Sequence, residues 1–154
     1  MHDKTQPFKI FKKGGLKIGV FGVGIELDGL VPKELYKETK YLDPLEVANQ
    51  TAHILKNQLG CDYVICLSHL GYHYRNENKV DDHAIAKMSS QIDLIIGGHT
   101  HTFLRKPELL KNKEGEPVVV NQVGWGGIYL GKIDVFFERS KKGQCASCEN
   151  IAIS

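Results

Sequence analysis

The sequence predicts an α/β fold, in the order β-α-β-α-β followed by antiparallel strands, and three observations carry that prediction. Residues 64–67 and 94–96 are short apolar runs bounded by turn signals, as buried strands of a parallel sheet are. Stretches with helical spacing precede each run. Strands that alternate with helices imply parallel pairing through crossover connections.

Each element has a local reason. Residues 7–13 alternate Phe8, Ile10 and Phe11 with lysines, then reach Gly14-Gly15, and residues 16–23 resume an apolar pattern. That reads as a hairpin whose second arm is a central strand. Residues 25–40 contain Gly29 and Pro32 and read as a loop with a short helical piece at 33–36. Asp43-Pro44 opens a helix, because Asp caps and Pro suits the first helical position. Leu45, Ala48, Ala52, Leu55 and Leu59 carry its apolar face, and Gly60 ends it. Residues 63–67 form the next strand. Residues 80–92 form a second helix with Ile85 and Met88 inward, and residues 94–96 the strand after it. A loop over 105–116, a strand over 118–120, a turn at Gly124-Trp125-Gly126-Gly127 and an antiparallel strand over 128–137 complete the pattern. Residues 141–154 read as a polar, frayed tail.

Composition narrows the function classes. The 154 residues are 42% hydrophobic and 25% charged, with a formal charge of +2, which suits one globular core. So small a charge gives no electrostatic basis for binding a nucleic acid polymer. The lysines at 9, 12, 13 and 17, and at 111, 113, 141 and 142, read as solvated faces. No apolar run is long enough to span a bilayer, and the N-terminus carries no signal-peptide pattern. Cys61 and Cys66 fall at a buried strand. Cys145 and Cys148 form a C-x-x-C pair without two further ligands nearby, so a local disulfide or two inert thiols fit better than structural zinc.

Both apolar runs end in histidine. The first leads to Ser68-His69, the second to Gly97-Gly98-His99-Thr100-His101. Ligands in open α/β sheets gather beyond the carboxyl ends of strands. Three imidazoles arriving there point to a divalent metal, since imidazole ligates zinc, iron, nickel and similar ions. An H-x-H pair can chelate one ion or reach toward two adjacent ions, and Gly97-Gly98 allows a sharp turn and a close approach. His53 reads as helix surface, His73 as loop and His83 as a helix start. Three imidazoles also fit a self-contained mononuclear zinc site. A binuclear site needs a bridging carboxylate and further ligands beyond the three histidines, and their shortage is the main difficulty here. The glycines around Val20-Phe21-Gly22 do not match a dinucleotide loop.

Cys66-Leu67-Ser68-His69-Leu70-Gly71 and Gly97-Gly98-His99-Thr100-His101 resemble the calcineurin-like metallophosphoesterases. Residues 17–22 and Asn121-Gln122-Val123-Gly124-Trp125 extend the likeness toward the 5'-nucleotidase branch. The resemblance implies a β-sandwich flanked by helices, with residues 1–140 as the C-terminal part of a metallophosphatase domain. It implies two divalent ions (zinc, manganese, iron or similar), with His69 and His99 on one and His101 on the other. It assigns no catalytic acid or base here, because the earlier D-x-H, G-D and G-N-H-[DE] motifs, which carry the rest of the family site upstream of the strand resembling residues 8–11, have no counterpart in this sequence. The reaction implied is hydrolysis of a nucleotide or other phosphate monoester, in nucleotide catabolism, by an exported or periplasmic protein. The alternative is an inactive half-domain that binds metal weakly or needs a partner chain. A missing N-terminal half or a separate nucleoside-binding domain would then complete it. Such a half-domain would expose apolar sheet surface.

Overall fold

The computed structural model describes residues 5–75, 79–137 and 144–153, with the backbone alone at 144–146. Six strands form one mixed sheet in the order β1-β2-β3-β4-β6-β5. These are β1 (Phe8–Lys13), β2 (Leu16–Gly24), β3 (Tyr63–His69), β4 (Leu94–Ile96), β5 (Glu108–Lys111) and β6 (Pro117–Asn121). β2, β3, β4 and β6 run parallel, and β1 and β5 close the two edges antiparallel. A second, two-stranded antiparallel sheet pairs β7 (Tyr129–Phe136) with β8 (Gln144–Ala152).

The expected hairpin is present, with Gly14 and Gly15 at φ 59° and 84°. α1 spans Lys33–Tyr36 and α2 spans Pro44–His53. The Asp43 carboxylate caps α2 by accepting from the Glu46 N–H at 2.8 Å. The chain continues through a π-type turn at Ile54–Gln58, where the Leu59 N–H donates to the Ile54 carbonyl at 3.0 Å. That turn rotates Leu55 fully into the core. Its methyl groups lie 2.9 and 3.0 Å from where a Cβ on Gly19 would stand, so helix and sheet meet across a bare strand position.

Three expectations need correction. The second helix, α3, spans only Asp82–Met88. The chain leaves it at Ser89 in extended conformation, so Ile92 enters the core while Met88 is 56% exposed. The segment 105–116 is not all loop, because β5 pairs with β6 and tucks Leu110 against the core. The tail is not frayed along its length, because 144–152 form β8. The pairing expected of Cys145 and Cys148 lies partly outside the described residues. Cys148 itself is disulfide-bonded, and Cys61 and Cys66 are free and buried.

Period-two alternation divides the core into two layers. Phe21, Val64, Cys66, Ile95, Val118 and Val120 face the helices, packing on Ala48, Ala52, Leu55, Ile85 and Ala86. Tyr63, Leu94 and Val119 face the other way, toward Ile133, Val135 and Phe137 of the hairpin sheet and its end. The architecture is therefore helices on a mixed sheet, with a small antiparallel sheet against its opposite face.

Among the buried polar groups, one carboxylate stands out. Asp82, in the first turn of α3, is fully buried, and neither carboxyl oxygen has a hydrogen-bond partner of good geometry. Burial raises its pKa to about 7. The nearby Ser68 hydroxyl opposes that rise, and the Asp81 charge adds to it.

Two outcomes follow for stability. Leu55→Ala should cost about 2–5 kcal/mol in urea unfolding, since it empties a position with no solvent access. For Asp82 the folded-state pKa lies above the ordinary 3.8, so the folded chain holds the proton more tightly. The penalty is absent below about pH 4, grows as pH rises, and is complete above about 7, where it is on the order of 4 kcal/mol. Asp82→Asn should therefore unfold at higher urea than wild type at pH 8, and the advantage should shrink toward nothing at pH 4. An advantage independent of pH would show that the Asp82 pKa is the same in the folded and unfolded chain, and would remove the burial penalty.

Candidate metal centre

The carboxyl ends of β3, β4 and β6 meet at one edge of the sheet, and the candidate residues follow directly from them. His69 is the last residue of β3, in register with Gly24 of β2. β4 ends at Ile96 and runs through Gly97-Gly98 into His99-Thr100-His101. β6 ends at Asn121 and leads into Gln122.

Gly97 and Gly98 are needed for room more than for an unusual backbone. A Cβ on Gly97 would stand 2.0 Å from Asp82 Oδ2, and one on Gly98 would stand 3.1 Å from His69 Nδ1. The left-handed conformations fall instead on the histidines, at φ 75° for His99 and 53° for His101. Each costs about 1–3 kcal/mol, and such residues cluster at functional sites where the surroundings hold them.

The surroundings here are specific. The Gln122 side chain is buried beneath the turn. Its Oε1 accepts from Thr100 Oγ1 at 3.1 Å and from the Thr102 N–H, and its Nε2 donates to the Gly98 carbonyl at 2.8 Å. The Tyr72 N–H donates to Thr100 Oγ1 at 2.9 Å, which ties the loop after β3 to the turn after β4. The Gly97 N–H donates to the Asn121 carbonyl at 2.9 Å, and the Gly124 N–H to the Thr102 carbonyl at 2.9 Å.

The turn brings two of the three expected imidazoles into contact. The His69 and His99 rings are 5.2 Å apart, edge to face at 63°. His101 lies near enough for its charge to act on His99, but its ring stacks on Trp125 at 6.1 Å and 22°. Burial pushes the His99 pKa down, and the charges of His69, His101 and Lys79 push it further. A neutral imidazole with its lone pair free at neutral pH is what a cation requires, so the donor chemistry fits a divalent ion. Among the described residues, however, no three His, Cys, Asp or Glu side chains gather closely enough to hold a metal by themselves.

The remaining histidines stand where expected along the chain, and only the burial of His83 departs from an ordinary surface or cap position. His53 is exposed, within hydrogen-bond reach of Asn57. His83 is not surface: its side chain is 12% exposed, with Nε2 2.8 Å from Glu108. His73 stacks on it at 4.5 Å and pairs with Asp81 at 3.1 Å. The Tyr72 hydroxyl donates to the same Glu108 carboxylate. These groups pin the 71–75 loop to α3 and β5 beside the site. Of Gln122 and Asp82, two buried polar groups behind the turn, Asp82 had no sequence signal, and Gln122 stood out only within Asn121-Gln122-Val123-Gly124-Trp125, with nothing to announce its contacts.

No family model matches the chain. A trifunctional nucleotide phosphoesterase of Bacillus subtilis is 33% identical over 132 residues, 86% of this chain and 8% of that protein. Among solved structures, the NAD nucleotidase of Haemophilus influenzae aligns at TM-score 0.78 and 25% identity, covering 98% of this chain and 31% of the other. A 5'-nucleotidase precursor from Thermus thermophilus aligns at TM-score 0.76 and 25% identity, covering 96% and 30%. The chain thus spans less than a third of each of these proteins. With its mixed sheet, its separate antiparallel sheet and histidines at the ends of β3 and β4, the chain belongs to the 5'-nucleotidase branch of the calcineurin-like metallophosphoesterases.

Proposed function

We propose that this chain supplies His69, His99 and His101 to the divalent-metal centre of a 5'-nucleotidase-type phosphoester hydrolase. The observation that carries the reading is the contact of His69 with His99 at the strand ends, with two histidines held in left-handed conformation. Strain of that kind is retained where a geometry is used. Divalent ions bound there supply the Lewis acidity that phosphoester hydrolysis draws on. The chain's own part is to hold three imidazoles at one edge and to keep His99 unprotonated. The substrate class is a nucleotide or another phosphate monoester, in keeping with the nucleotidases it is similar to. The Thermus thermophilus relative is a precursor, which supports an exported protein. Among the described residues no helix is long and apolar enough to cross a membrane.

A second reading has its own support. The described residues gather no three metal-binding side chains, and Leu67 and Ile96, paired in register just below the site, are 46% and 42% exposed. Both facts favour a half-site that further residues must complete, whether from the same protein or from a partner chain. In that form the isolated chain binds metal weakly and turns over nothing.

Metal stoichiometry and a phosphatase assay on the same preparation separate these readings. Weak metal uptake without turnover, and turnover once an N-terminal half bearing D-x-H and G-N-H-[DE] is added, is the expected result. One tightly bound zinc with turnover by the chain alone would favour a self-contained mononuclear hydrolase instead. In the completed domain, His99→Ala or His101→Ala should reduce phosphatase activity to background while the fold persists by circular dichroism. Unchanged turnover would remove both residues from the site.

A further inference from the structure

Gln122 is 1% exposed, and all three of its side-chain hydrogen bonds go to one turn. They reach Gly98, Thr100 and Thr102, the residues that alternate with His99 and His101. The neighbouring buried amide behaves otherwise. The Asn121 side chain exchanges a reciprocal pair of hydrogen bonds with Asn150 of β8, at 2.9 Å each, and neither bond reaches the histidine turn or loop 71–75. Two adjacent buried amides thus face different tasks, one joining the sheets and the other gripping the H-T-H turn.

We propose that Gln122 is a positioning residue, whose amide fixes residues 98, 100 and 102 so that His99 and His101 are presented outward in left-handed conformation. The amide suits this because it is neutral and two-sided. Its oxygen gathers two donors from the outgoing limb of the turn, and its nitrogen satisfies a carbonyl on the incoming limb. A carboxylate would set charge against the Gly98 carbonyl, and an apolar side chain would leave that carbonyl and the Thr102 N–H unpartnered. Tyr72, by donating to the same Thr100 hydroxyl, couples the loop after His69 to this clamp. The amide therefore sets the relation between the histidine of β3 and the two that follow β4. Groups that orient metal ligands typically change affinity ten- to a hundredfold when removed; that consequence rests on the metal-centre reading above, whereas the positioning itself does not.

Trp125 makes the positioning measurable without any metal. It is the chain's one tryptophan, and its ring stacks on His101. The experiment compares wild type, Gln122→Met, Thr100→Val and Asn121→Leu by metal-free Trp125 emission, by affinity for cobalt(II) alone, and by thermal melting. Gln122→Met should shift the metal-free emission and weaken cobalt(II) about ten- to a hundredfold. Thr100→Val, at an exposed position, keeps two of the three Gln122 bonds while also losing the hydroxyl's contacts with the Tyr72 N–H and Thr102 Oγ1, and should move both readouts the same way by less. Asn121→Leu should lower the melting temperature while leaving emission and cobalt(II) affinity at wild-type values. If Gln122→Met does not fold, Thr100→Val decides, and wild-type behaviour in both readouts overturns the proposal. So does wild-type emission in a folded Gln122→Met, or an Asn121→Leu variant that shifts both readouts equally. Failure of the wild-type chain to take up cobalt(II) would instead count against the metal centre, and the emission comparison would still judge the clamp.

Discussion

The structure turns on a crowded crossing at Gly97-Gly98, where β4 leaves the sheet. Asp82 from α3 presses on one glycine and His69 from β3 on the next, at distances that leave no room for a Cβ on Gly97 and little on Gly98. Two elements, α3 and β3, are thereby brought against one dipeptide. Because that crossing is so close, the backbone beyond it has little freedom, and the following histidines take conformations that an unconstrained chain would avoid. The helix layer and the sheet are thus not a neutral platform. Their packing dictates the direction in which the H-T-H turn emerges.

Electrostatics at this edge work with that packing. A carboxyl sealed behind the turn with a pKa of about 7 carries, at neutral pH, only part of a charge. In front of the turn, burial and neighbouring cations hold His99 toward its neutral form. Both shifts begin with loss of solvent, and both reduce the charge of the isolated site. For His99, that shift reduces the proton occupancy that a bound cation would have to displace.

Much of this was legible in the sequence, for identifiable reasons. The central strands showed because packing on both faces makes residues 64–66 and 94–95 continuously apolar, with Leu67 and Ile96 extending the runs at their more exposed ends. α2 showed because Asp43-Pro44 and Gly60 mark its ends. The histidines showed because strand ends are where α/β sheets carry ligands. What was hidden depends on long-range pairing. β5 carries Glu108 and Lys111 around Leu109-Leu110, so its edge position, with one face in solvent, erased the strand signal. β8 is polar because it pairs with β7 at the surface, and its pairing is set by partners rather than by its own pattern. Asp82 was silent, and Gln122 showed only as part of Asn121-Gln122-Val123-Gly124-Trp125, for a different reason: their importance lies in what they touch, and a lone acid or amide carries no spacing to announce its contacts.

The stacking of His101 on Trp125 adds a last constraint. The two rings lie nearly parallel, on segments that Gln122 and the Gly124 N–H hold together. An aromatic contact of this kind is worth about 0.5–1.5 kcal/mol. Any ion that recruits His101 must either keep that contact or offset its loss, whereas His69 and His99 already touch. In the proposed metal centre the pair is therefore the preorganised part and His101 the adjustable part. Affinity gained from a third imidazole is reduced by what its reorientation costs, while the first two are available without rearrangement. That asymmetry is a property of the turn itself: the same bonds that hold Thr100 and Thr102 fix where both histidines start, and only the position of His101 is further biased by an aromatic neighbour.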